Sequence, residues 1–138
     1  MKQSNSEKTL THSSTLPDLI PNVRQKREQK VTPKVLQWFR TTYHSNCAIE
    51  IKATNKNTIP EKALQDHQRL ALQSAKGRGI VHKIADNKRR LPFDAFMLIN
   101  ADAFVVACFT AHGRCLVIPV DKWKGASPET PCDHIIKL

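Results

Sequence analysis

The sequence predicts an α+β domain, a mostly antiparallel or mixed sheet with helices against it. Three observations lead there: a helix-periodic apolar stripe between Thr32 and Tyr43, an alternating run from Cys47 to Ala53, and four further strand-like runs separated by turn signals. Thr32 followed by Pro33 reads as a helix start, because Thr can cap free amides and Pro needs no donor in the first turn. At about 100° per residue, Val35, Leu36, Trp38, Phe39 and Tyr43 share one face while Lys34, Gln37 and Arg40 lie opposite. In the following strand Cys47, Ile49, Ile51 and Ala53 point one way, and Ala48, Glu50 and Lys52 the other. Pro60 opens a second helix ending near Gly77, in which Leu64, Ala71, Leu72 and Ala75 form the apolar stripe. The remaining strands are expected around Ile80 to Ala85, Phe93 to Asn100, Ala103 to Phe109 and Cys115 to Val120.

The chain has 138 residues, the size of one compact domain. Residues 1–20 are rich in Ser, Thr and Lys and lack apolar periodicity, and Leu16 to Pro21 carries two prolines; 1–20 is expected to be a flexible tail, leaving 21–138 as a single domain. No run approaches the roughly 20 apolar residues that span a bilayer, and the N-terminus has no apolar segment of a signal peptide. A soluble, cytoplasmic protein with no membrane partner is expected. Cys47, Cys108, Cys115 and Cys132 show no Cys-x-x-Cys spacing and are expected to be reduced thiols.

The formal charge is +10 and the pI about 9.8. Such a field attracts polyanions, because each neutralised phosphate releases condensed counterions. Nucleic acid is therefore the first partner class, with anionic lipid or an acidic protein as alternatives. The basic run Arg24, Lys26, Arg27 and Lys30 is either a phosphate contact or a solvated charged helix.

Glu50 and Lys52 leave one face of one strand, about 7 Å apart along the backbone. A carboxylate is a hard oxygen ligand for Mg²⁺, and a neighbouring ammonium can position water or offset charge on a phosphate under attack. Two residues apart on a strand, such a pair is also common as a solvent-facing ion pair. Gln68 weighs against that simpler reading, since it falls within the apolar stripe of the second helix. A glutamine amide aimed at a core needs polar partners, because leaving it unpaired costs on the order of 1 to 3 kcal/mol.

The run Ala48-Ile49-Glu50-Ile51-Lys52-Ala53-Thr54, then Ile59-Pro60, then His67-Gln68, then Gly79-Ile80-Val81-His82-Lys83-Ile84, resembles the core of Holliday junction resolvases of the PD-(D/E)XK nuclease superfamily, of the RecU-like and related phage or archaeal type. The resemblance covers residues 47–85 closely and the strands out to Trp123 loosely. It implies a restriction-endonuclease-like mixed sheet flanked by helices, and a Mg²⁺-dependent (Mn²⁺ possible) endonuclease that hydrolyses phosphodiester bonds in branched DNA as a homodimer. It further implies that Glu50 is a metal ligand, the Ile51 carbonyl a backbone ligand, Lys52 the catalytic lysine, and Gln68 the residue that orients water or touches the scissile phosphate. His67 is expected to pack or contact DNA.

One departure matters. These nucleases usually carry an Asp on the strand before Glu-x-Lys, and no acidic residue stands between Gln29 and Ile49. The expected replacement is Asp94 in Pro92-Phe93-Asp94, displaced downstream, as a second catalytic and metal-binding carboxylate; Glu28 and then Asp18 are the next candidates. Lys76, Arg78, Lys83, Lys88, Arg89 and Arg90 are expected to form a DNA-backbone rim. Two other readings stay open: a different nuclease on the same core, in restriction, repair or replication, and a nuclease-like protein that binds nucleic acid without cutting it.

Overall fold

The computed structural model describes residues 23–83 and 95–138. They form a mixed α+β fold built around a four-stranded sheet. Helix α1 is Val23–Trp38, extended by one wider turn over Phe39–Tyr43. Strand β1 (Cys47–Thr54) leads through a short 3₁₀ turn at Glu61–Ala63 into helix α2 (Asp66–Lys76). Among the described residues, strands β2 (Ile80–Lys83) and β3 (Ala95–Leu98) pair only with each other, antiparallel. Strands β4 (Asp102–Phe109), β5 (Arg114–Pro119) and β6 (His134–Lys137) complete the main sheet in the order β1-β4-β5-β6, with β1 parallel to β4 and the other pairs antiparallel.

Alternation along the strands creates two cores, one on each side of the sheet. Phe104, Val106 and Cys108 of β4 turn toward α1, where they meet Val31, Val35 and Phe39 with Ile49 and Ile51 of β1. Ala103, Val105, Ala107 and Phe109 turn the other way, toward Leu64, Leu72 and Trp123. A strand buried on both faces reads as the continuous apolar run of β4. The helices thus cover opposite faces of the sheet.

Helix α1 runs through the expected start at Thr32 and Pro33, so that boundary is corrected. The spacing of Val31, Val35 and Phe39 places one buried residue per turn, and this stripe continues across the proline. Pro33 removes a single amide donor, and beside it the Thr32 hydroxyl donates to the Glu28 carbonyl at 2.6 Å. Leu36, expected on the buried face, is 43% exposed. The helix ends where His44 takes a left-handed conformation and its amide bonds to the Phe39 carbonyl.

At that end the Tyr43 hydroxyl donates to Asp102 Oδ2 at 2.5 Å, tying the helix terminus to the start of β4. Burial, then this hydrogen bond and the carboxylate's charge, push the phenol up to about 12. Burial, with the Asp102 charge, also pushes the nearby Cys47 thiol up.

The cysteine expectation is corrected in part. Register places Cys108 of β4 opposite Cys115 of β5, and the two form a disulfide, while Cys47 and Cys132 are free. Their sequence spacing gave no sign of this, because the pairing follows from how the hairpin closes. Strand β6 was not expected from sequence: of its four residues only Ile136 is buried. No helix among the described residues is long and apolar enough to cross a membrane. The expected tail at 1–20 lies outside the described residues.

Candidate active site

Glu50 and Lys52 occupy even positions of β1, so they face the side of the sheet covered by α2. The first turn of α2 brings Gln68 to meet them. Gln68 Nε2 donates to Glu50 Oε1 at 2.8 Å, Lys52 Nζ donates to Gln68 Oε1 at 3.0 Å, and Lys52 Nζ lies 3.0 Å from Glu50 Oε1. The three side chains close a triangle of charged and polar contacts.

The amide of Gln68 has one workable orientation. Its oxygen accepts from the Lys52 ammonium and from the Gln65 backbone amide at 3.1 Å, both of which can only donate, so its NH₂ must face the carboxylate. The Gln65 contact is half of a reciprocal cap at the start of α2, in which Gln65 accepts from the Gln68 backbone. Helix capping and site geometry therefore hold the same side chain.

Lys52 is the one buried charged residue among those described, 5% exposed. A buried ammonium persists only with a counter-charge and hydrogen bonds, which Glu50 and Gln68 supply. The Glu50 side chain keeps 29% of its surface in contact with solvent. Both of its contacts fall on Oε1, so among the described residues Oε2 carries no hydrogen bond.

The other expected site residues are distributed as follows. Ile51 follows the alternation and packs its side chain toward α1, with its backbone between Glu50 and Lys52. Asp94, Lys88, Arg89, Arg90 and Asp18 lie outside the described residues, as does the side chain of Lys83 at the end of β2. Lys76 sits in the last turn of α2, about 12 Å along the helix from Gln68, and is ion-paired with Asp121. Arg78 is exposed in the turn that follows. These two cations therefore stand at the far end of α2 from the triangle. His67 is exposed beside Gln68. Ala71, expected in the apolar stripe, is exposed, whereas Leu64, Leu72 and Ala75 are buried.

Glu28, the next acid considered, is half-buried on α1. Its Oε1 lies 3.4 Å from Arg24 Nε and is buried without a hydrogen bond. Among the described residues no three His, Cys, Asp or Glu side chains converge as a metal site. Mg²⁺, however, commonly binds through one or two carboxylates, with water and substrate phosphate filling the other positions. The partly solvated Glu50 carboxylate suits one of those positions.

Compared with protein-family models, curated proteins and solved structures, the chain matches none of them.

Proposed function

We propose that this chain is a metal-dependent endonuclease that hydrolyses phosphodiester bonds in branched DNA, built on a restriction-endonuclease-like core and working as a homodimer. The observation that carries the reading is the closed triangle of Glu50, Lys52 and Gln68. A Glu-x-Lys strand is common, but here a glutamine from a separate helix locks both side chains on one face. The branched substrate and the dimer rest on the resemblance of residues 47–85 to Holliday junction resolvases, with the net charge of +10 in support.

In this reading Glu50 would hold Mg²⁺, with Asp94 as the expected second carboxylate. Bound there, the ion would supply Lewis acidity and a water of lowered pKa. Lys52 has three N–H donors, and two are directed at Glu50 and Gln68. The third serves a non-bridging phosphate oxygen, whose charge grows as water adds to phosphorus and the bond to the leaving oxygen breaks. Gln68 bonds to both the ammonium and the carboxylate and orients them. A second reading, binding without cleavage, is favoured by Glu50 being the single carboxylate at the triangle among the described residues.

The test is cleavage of end-labelled four-way junction, fork and linear duplex DNA with Mg²⁺ or Mn²⁺, using wild type, Glu50→Gln, Lys52→Ala and Asp94→Asn. Symmetric, metal-dependent nicking of the junction that each substitution reduces by a factor of about 10² or more is expected. Mg²⁺ should also raise the melting temperature of wild type but not of Glu50→Gln. Junction binding without cleavage under either metal would leave the binding-only reading.

A further inference from the structure

Beside the triangle lies a cleft of about 450 Å³ between the first turns of α1, the end of β1 and the Ile59-Pro60 segment. Five cationic residues line it, Arg24, Arg27, Lys52, Lys56 and Lys62, and no acidic residue does. Outside the cleft, Arg69 is paired with Glu61 and Lys76 with Asp121. Within the cleft Lys52 is paired with Glu50 and Arg24 with Glu28, whereas Arg27, Lys56 and Lys62 have no acid beside them among the described residues. A concave surface lined by one sign of charge, with low-dielectric walls, concentrates the field and draws in a counter-ion.

The cleft is also held in shape. Ile59 and Ala126 exchange two backbone hydrogen bonds of 2.8 Å, fixing the wall from which Lys56 and Lys62 project on either side. The Arg24 guanidinium reaches the Ala63 carbonyl at 3.4 Å, joining α1 to the opposite wall. Arg24 and Arg27 are three residues apart and so share one helical face. The volume is that of a small-molecule site, room for a nucleotide unit and not merely one ion.

We infer that this cleft is a phosphate-binding site that takes the backbone of a nucleic-acid strand, next to the phosphate held at Lys52. The assignment to nucleic acid rests on the nuclease reading; the cleft borders the triangle through Lys52, so a strand seated by one phosphate in the cleft presents a neighbouring one to Glu50 and Gln68. The cations of the cleft position the strand and take no part in bond breaking.

The test is binding of fluorescein-labelled junction and single-stranded DNA to the full chain in EDTA, where cleavage plays no part, across a series of NaCl concentrations. The triple variant Arg27→Gln, Lys56→Gln, Lys62→Gln is compared with Lys34→Gln, Arg40→Gln, Lys137→Gln, which removes the same charge from exposed positions elsewhere. The cleft variant should lose about tenfold more affinity than the control and show a salt dependence shallower by at least about 1 in log–log slope. Lys56→Gln with Lys62→Gln, both exposed, gives the same comparison if the triple does not fold. Equal losses in the two variants would overturn the proposal. So would a cleft variant that weakens binding of a mononucleotide or of phosphatidylserine vesicles while leaving DNA affinity at the control level. Loss of cleavage in Glu50→Gln bears only on the nuclease reading, since the cleft is tested by binding in EDTA with the cleft and control variants alone.

Discussion

Lys52 holds a full charge where almost none of its surface meets solvent, and Glu50 is what makes that tolerable. The two are not equivalent under substitution. Glu50→Ala leaves an ammonium buried without its counter-charge, whereas Lys52→Met removes the buried charge and leaves a carboxylate that is already partly solvated. Glu50→Ala should therefore be the more destabilising by about 1–3 kcal/mol in urea unfolding; equal losses would mean the pair is not electrostatically coupled. Tyr43 makes a second prediction at this scale. Its phenol titrates near 12 when folded against 10.0 for the free side chain, so the stability it contributes is complete below pH 10 and is lost as the pH rises to 12. Unfolding measured from pH 9 to 12 should show this loss in wild type, and a smaller one in Tyr43→Phe.

Among the elements, β1 was the most legible: its period-two pattern placed its start at Cys47, stopped one residue short of its end at Thr54, and gave the face that Glu50 and Lys52 share. The second helix was legible as a stripe but not as a unit, because a break at Leu64 and Gln65 separates the 3₁₀ turn from α2, and this break creates the cap that binds Gln68. What holds the break in place is remote in sequence. Gly125 has φ near 84°, and a Cβ there would stand 2.8 Å from the Ile59 carbonyl oxygen and 2.9 Å from the Glu61 amide nitrogen. Trp123 Nε1 donates to the Glu61 carbonyl at 3.0 Å from the same side. Gly125→Ala should cost about 1–3 kcal/mol, seen as a lower denaturant midpoint, and should lower DNA affinity by displacing the wall of the basic cleft.

At the scale of the whole molecule, the sheet sets two helices on opposite faces and assigns them different tasks. Helix α2 supplies Gln68 to the triangle from one side. Helix α1 buries Val31, Val35 and Phe39 on the other, yet its first turns reach the edge at β1, where Arg24 and Arg27 meet Lys56 and Lys62. Five of the chain's cations are thereby gathered in one cleft beside the triangle. The basic run at 24–30 was visible as a run of cations, but its counterparts at 56 and 62 carried no local sign of belonging to the same surface.

The sequence by itself determined the α+β class, the strand that carries Glu50 and Lys52, and the need of Gln68 for polar partners, since each follows from periodicity or from the desolvation of a single group. Tertiary structure alone decided that Gln68 meets both of those residues at once, that Cys108 faces Cys115, that α1 continues through Pro33, and that five cations share one cleft. Each of these depends on strand register or on helix placement across the sheet, and the packing that fixes them joins residues tens of positions apart in the chain.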